Sequence, residues 1–172
     1  KNILFPSRLA GNKSPLEVVK SMKYVKNTKL IVCGSGNLSN QIQKIVHKLD
    51  NVEFKGYINE EELIELFSNC LAVIYVPINE ELGYVPIEAG VSGKLTIGSN
   101  EGGLKDTIID NKTGFLIDNP TPEKIADKIN FIIENPKIAK EMGQNAYEYC
   151  KKFHLKNTFR VLDKAIEEVT NK

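Results

Sequence analysis

The sequence predicts an α/β fold: a Rossmann-like parallel sheet with helices on both faces. Three observations carry that expectation. Short apolar runs alternate along the chain with segments of helical period, the pattern of repeated β-α units. The runs read as near-continuous Ile, Val, Leu and Phe rather than as in-out alternation, as strands buried on both faces require. A length of 172 residues, 41% hydrophobic and 26% charged, suits one domain with a real core.

Taken in order, the first strand is expected at residues 2–5. A helix follows, opened by Ser14-Pro15-Leu16-Glu17 and carrying Val18, Val19, Met22 and Val25. That opening reads as a capping box with proline at the first helical position. The second strand spans 29–33 and ends in the turn GSGN, Gly34 to Asn37. Ile42, Ile45, Val46 and Leu49 then share one helical face,. A third strand at 52–54 leads to Asn59, the cap of a helix bearing Leu63, Leu66 and Phe67. The fourth strand, 71–76, precedes a helix from 85 to about 91. Strands at 94–97 and 114–117 complete the set. Thr121-Pro122 and Asn135-Pro136 open two helices, and 155–169 is the last. No repeat or linker divides the chain, so residues 1–172 are taken as one domain.

Bulk properties exclude several functions. A net charge of +1 supplies no general attraction to nucleic acid or to an anionic membrane. No apolar run approaches the ~18 residues of a membrane span, and no signal peptide is recognisable. Cys33, Cys70 and Cys150 show no C-x-x-C spacing, against a disulfide framework or zinc site and in favour of a reducing compartment. The expected location is cytoplasmic.

In open parallel sheets ligands sit beyond the carboxyl ends of the strands, at a topological switch point, so the loops after each strand are where function is expected. After the first strand stand Arg8 and Lys13, two cations ahead of a helix start, suited to a phosphate or diphosphate. The competing reading pairs Arg8 with a carboxylate and leaves Lys13 solvated. After the second strand, Gly34 and Gly36 either admit a ligand or make a plain tight turn; the third glycine of a dinucleotide fingerprint is missing. After the fourth strand comes INEELGYVPIEA, with Glu80 and Glu88 eight positions apart. The amides of Leu82, Gly83 and Tyr84 are expected to point into the crevice. Glu88, inside the helix, is placed to accept the vicinal hydroxyls of a ribose. Glu80, on the loop, is expected to be free for another part of the ligand. After the fifth strand, Gly102-Gly103 either offers amides or makes a turn at positive φ.

In order and spacing these residues resemble the glycosyl transferases group 1 family, retaining enzymes of the GT-B fold. The family's E-x7-E motif, usually E-G-F-G-L-x-x-x-E-A, is similar to Glu80-Glu81-Leu82-Gly83-Tyr84-Val85-Pro86-Ile87-Glu88-Ala89. Its upstream G-R-L-x-x-x-K-G resembles Ser7-Arg8-Leu9 followed by Lys13-Ser14. Its G-G-x-x-E-x-I and T-G-x-L resemble Gly102-Gly103 through Ile108, and Thr113-Gly114-Phe115-Leu116. This chain departs from the pattern at Glu81, Leu82, Tyr84, Ser14 and Lys94-Leu95.

The resemblance implies the carboxy-terminal, nucleotide-sugar-binding half of a GT-B enzyme, with an amino-terminal acceptor domain outside this chain. It implies that Arg8 and Lys13 hold the donor diphosphate and stabilise charge on the departing nucleoside diphosphate. Glu88 would bind the ribose, while Glu80 and the amides near Gly83 would contact the sugar. It further implies retention, no cofactor and no metal, with a GDP- or UDP-sugar as substrate and a leaning to mannose. The setting implied is polysaccharide or glycolipid assembly. Any attachment to the inner face of the membrane would come through the missing half. His47 and His154 are read as structural or solvated. Two alternatives stay open: a non-catalytic nucleotide-sugar-binding module, and a nucleotide-sugar epimerase of the same architecture. The isolated domain is expected to be inactive.

Overall fold

β-branched and aliphatic runs form six strands: β1 Ile3–Pro6, β2 Leu30–Cys33, β3 Val52–Gly56, β4 Ala72–Tyr75, β5 Leu95–Ser99 and β6 Gly114–Ile117. The computed structural model describes residues 2–170, and the side chains at 155, 158, 161, 162, 165, 168 and 169 lie outside the description. The strands make one parallel sheet in the order β3-β2-β1-β4-β5-β6. Ile3 sits between Leu30 on one side and Ala72 on the other. The chain lays down β1, β2 and β3 outward in one direction, returns to place β4 beside β1, then continues the other way. The switch point is therefore the crevice between the ends of β1 and β4.

The helices are α1 Pro15–Ser21, α2 Ser39–Val46, α3 Glu60–Asn69, α4 Tyr84–Val91, α5 Leu104–Thr107, α6 Pro122–Glu134, α7 Pro136–Cys150 and α8 Leu155–Thr170. On one face of the sheet, Ile3, Phe5, Leu30, Val32, Ile74 and Ile97 pack against Val18 and Val19 of α1, Ile42 of α2 and Ile125, Ile129 and Ile132 of α6. On the other, Leu4, Ile31, Cys33 and Val73 meet Phe67 of α3 and Ala89 of α4. The five strands other than β3 thus cover both sets of alternating side chains, which explains their continuous apolar runs,. At the sheet edge, β3 leaves Glu53 and Lys55 exposed.

Two predicted caps form: Asn59 accepts the Glu62 N–H at 2.8 Å, and Thr121 accepts that of Lys124 at 3.4 Å. The capping box at Ser14 does not. Ser14 lies at φ 50°, ψ 41°, and its side chain makes no capping bond. The preceding 3-10 turn Gly11–Lys13 brings the chain into α1 through a left-handed residue, so the hydroxyl points away from the helix amides. This is the position at which the resembled motif carries glycine, the residue at ease in that conformation. Cys33, Cys70 and Cys150 are free and buried.

Candidate functional site

The loops at the switch point are tied to one another through their backbones. Ser7 N–H donates to Cys33 O and Leu9 N–H to Ser35 O, which carries the β1–β2 pairing past Arg8. Gly34 makes this approach possible. A Cβ there would stand 2.0 Å from Ser7 O, and the Gly34 N–H is already given to Gly56 O at 2.7 Å. Gly34 thus makes the close approach of two loops, and it lines the same pocket as Arg8 and Glu88. On the other side, Ile78 N–H donates to Asn12 O at 2.8 Å, closing the loop after β1 onto the loop after β4.

That closure delivers Lys13 to Glu80. The Lys13 ammonium donates to Glu80 Oε2 and, at 2.9 Å, to the Tyr75 hydroxyl. Tyr75 in turn donates to the same carboxylate oxygen at 2.8 Å. Burial alone would raise the Glu80 carboxyl, but hydrogen bonds from Lys13 and Tyr75 outweigh it and hold the group below the ordinary value,. Burial would likewise lower the Lys13 ammonium, and its bonds to Glu80 and Tyr75 lift it above the ordinary range instead. Glu80 is therefore not free, contrary to the sequence expectation. Gly83 is buried and lies at φ 81°. Tyr84 is 70% exposed at the start of α4.

Gly102 and Gly103 serve the same loop. A Cβ on Gly102 would lie 2.1 Å from Glu80 O, and one on Gly103 2.0 Å from Glu81 O. The Gly103 N–H donates to Glu80 O at 2.9 Å. The pair is a seat for the Glu80 segment, and Gly103 does not offer its amide to a ligand.

Glu88 and Arg8 meet elsewhere. They line an open pocket of about 320 Å³ at the ends of β1 and β2, together with Cys33, Tyr57, Ile58 and Leu63. Arg8 is exposed, and among the described residues it forms no ion pair. Glu88 also keeps exposed surface, because the pocket is open. Protein nevertheless surrounds its carboxyl closely enough that desolvation pushes it above the ordinary carboxylate value,. Burial pushes the Cys33 thiol up to about 11, so this wall is neutral. The pocket joins a carboxyl, a guanidinium with no ion pair among the described residues and an apolar wall, which suits a ligand with hydroxyls, negative charge and a flat face.

Sequence reasoning missed Tyr75, Tyr57, Ile58 and Leu63. The one signal was for Tyr75, a tyrosine closing an otherwise aliphatic strand at its crevice end.

The sequence matches the glycosyl transferases group 1 family over residues 1–149. It is similar to the alpha-1,3/1,6-mannosyltransferase ALG2 of Dictyostelium discoideum, at 42% identity over 96 residues, covering 56% of this chain and 23% of the relative. An alpha-1,4-N-acetyl-D-galactosaminyltransferase of Campylobacter jejuni is 28% identical over 176 residues, covering 98% of this chain and 48% of the relative. The crystal structure of Anabaena Alr3699/HepE in complex with UDP and glucose superposes with a TM-score of 0.82 at 19% identity, over 99% of this chain and 48% of that one. The last likeness is one of fold. The chain spans under half the length of either curated relative.

Proposed function

We propose that this chain, which belongs to the glycosyl transferases group 1 family, is the donor-binding half of a longer transferase. It holds a nucleoside diphosphate sugar at the β1–β4 crevice, and the whole protein passes that sugar, with retention, to a glycan or lipid-linked acceptor. The observation that carries this reading is the pocket beside the switch point, at the ends of β1 and β2, in which Arg8 and Glu88 stand together, neither in an ion pair among the described residues.

In this reading Glu88 accepts the ribose hydroxyls and the apolar wall with Tyr57 takes the base. Arg8 meets the diphosphate, and Lys13, held at the crevice by Tyr75, meets it from the other side. The bond from the sugar's anomeric carbon to the phosphate oxygen breaks, and its electron pair stays on the diphosphate. Arg8 and Lys13 offset that growing charge, a fixed electrostatic contribution that costs no reorganisation. The acceptor hydroxyl forms the new bond to the anomeric carbon and passes its proton to the departing diphosphate oxygen. Glu80 meets the sugar and gives part of its hold on Lys13 to the phosphate. No metal ligand or cofactor is assigned. Likeness to a mannosyltransferase supports mannose as the sugar, and GDP is the carrier proposed for it; a neighbour of this fold with bound UDP and glucose supports the ligand class and keeps UDP in the test. The acceptor domain, and any attachment to the inner face of a membrane, are assigned to the other half of the protein. No helix among the described residues is long and apolar enough to cross a membrane.

Calorimetric titration with GDP, UDP, ADP and their sugar conjugates tests the proposal. One nucleotide is expected to bind selectively, and Glu88→Ala to abolish the heat. A folded chain that binds none of them, or binds equally well without Glu88, would overturn the assignment. The chain alone is expected to transfer no sugar.

A further inference from the structure

Tyr75 is the last residue of β4, and of the three groups that meet at Glu80 it alone stands on a strand. Its side chain is only 5% exposed. It packs with Leu104 of α5 and with Ile108, which anchors the ring to the body of the fold. Lys13 ends the 3-10 turn Gly11–Lys13, and Glu80 lies in the loop between β4 and α4. Two loop-borne charges therefore meet on a hydroxyl fixed to the sheet. That hydroxyl accepts from the Lys13 ammonium at 2.9 Å and donates to Glu80 Oε2 at 2.8 Å.

The two bonds respond differently to a ligand. An arriving phosphate draws on Lys13, a cation with three donors on a flexible stem. Glu80 then loses part of its cation but keeps the Tyr75 proton. Burial holds that phenol above its ordinary 10.0, so it remains a donor at any working pH. The carboxylate thus stays charged and stays in place. It has about four acceptor sites, which leaves room for sugar hydroxyls beside the Tyr75 bond.

We propose that Tyr75 is a positioning residue: it fixes the Glu80 carboxylate at the sugar end of the crevice, where that carboxylate retains an intact nucleotide sugar and expels the spent nucleoside diphosphate. This rests on the donor-binding function proposed above. In the intact donor the sugar stands between carboxylate and phosphate, its hydroxyls donate to Glu80, and the linking phosphate carries a single charge. After transfer the spacer is gone. The terminal phosphate sheds the proton it received and carries a second charge. Two anions then compete for one ammonium, and like charges in contact disfavour the occupied site. Lys13 returns to Glu80 as the diphosphate leaves. Without its anchor Glu80 would turn to water and the distinction would fade. Glu81, beside it, and Glu101, whose Oε1 accepts the Asn79 N–H of the same loop at 2.6 Å, add negative charge here. Lys13 and, in the donor reading, Arg8 oppose it.

The test is calorimetry on this chain with GDP against GDP-mannose and UDP against UDP-glucose, for the wild-type protein, Tyr75→Phe and Glu80→Gln. At pH ~8, above the second ionisation of a phosphate near ~6, the wild-type protein should bind the sugar conjugate more tightly than its free diphosphate. A ratio of at least about tenfold is expected, the size of one charge-assisted hydrogen bond. The ratio should shrink as pH falls through ~6, where the terminal phosphate takes up a proton. Glu80→Gln should bring it within about threefold of unity and flatten it with pH, which isolates Glu80 from Glu81 and Glu101. Tyr75→Phe should lower it at least about threefold, with both ligands still bound. A purely structural Tyr75 would weaken both ligands alike, and an unchanged ratio would overturn the proposal. So would a wild-type ratio near one, or one independent of pH. A folded chain that binds neither member of either pair sinks the donor reading itself; binding of both at a ratio indifferent to Glu80 sinks only this inference.

Discussion

Glu80 and Glu88 belong to one motif, and the structure gives them opposite environments. Glu80 is bound by Lys13 and Tyr75, and its carboxyl is held below the ordinary value. Glu88 shares a pocket with an unpaired arginine and an apolar wall, and desolvation holds its carboxyl above that value. One acid ties two loops together; the other forms no ion pair among the described residues and lines an open pocket. Equal spacing and equal chemistry in a sequence therefore do not mean equal availability. Substitutions at the committed end should cost stability, and those at the poised end should cost binding.

The largest stability loss is expected at the seat of the committed acid. Gly103→Ala places a Cβ 2.0 Å from Glu81 O, a backbone atom that cannot swing aside. A loss of about 1–3 kcal/mol, as for overpacking, should appear as a lower urea midpoint. Lys13→Ala comes next. It leaves Glu80 without its cation at a site where both side chains are largely covered, at 12% and 18% exposed. Water in the open crevice screens the pair, so a loss of ~1–2 kcal/mol is expected rather than that of a fully buried pair. Tyr75→Phe removes one bond to each partner but keeps the ion pair, and should cost about 1 kcal/mol.

The pair also has a pH signature. The folded Glu80 carboxyl lies below its ordinary 4.5, so its contribution is full above 4.5 and is lost as pH falls through the lowered folded value. Lys13, raised above 10.5, contributes fully below 10.5 and loses its share as pH rises through the raised value. The gap between the wild-type protein and Lys13→Ala should therefore be widest between these limits and narrow at both ends. A constant gap across acid pH would break the assignment of a committed Glu80.

Much of the architecture was legible in the sequence because it follows from local pattern and burial. All six strands lie within a residue or two of where their apolar runs placed them, and Asn59 and Thr121 cap as their positions suggested. Ser14 failed as a cap because a tertiary tie, Ile78 N–H to Asn12 O, sets the path of the preceding turn. The crevice location followed from strand order, and Arg8 and Glu88 share a pocket beside it, at the ends of β1 and β2. What could not be read was which residues were already engaged. The partner of Glu80 lies 67 positions upstream, and the glycine pair's purpose lies in a backbone it approaches rather than in its own amides. Such facts are set by three-dimensional closure, and spacing along the chain does not encode them.

The smallest stability effect and the sharpest test meet at Glu88. Glu88→Gln removes a charge that no protein group pairs with, so stability should move by no more than ~0.5 kcal/mol. The sign of its pH dependence is the reverse of that at Glu80. With the folded carboxyl raised above 4.5, the native state holds more protons than the unfolded chain between 4.5 and the raised value. Stability therefore falls as pH rises through that window, and Glu88→Gln should remove this slope. Nucleotide affinity should show the counterpart. A carboxylate that accepts two ribose hydroxyls must be ionised, so binding should weaken as pH drops into the window in the wild-type protein. In Glu88→Gln it should be at least about tenfold weaker and flat with pH, since a neutral amide has one good acceptor and no proton to lose. Flat affinity in the wild-type protein would mean that Glu88 does not touch the ribose, and the two acids would then differ in environment but not in function.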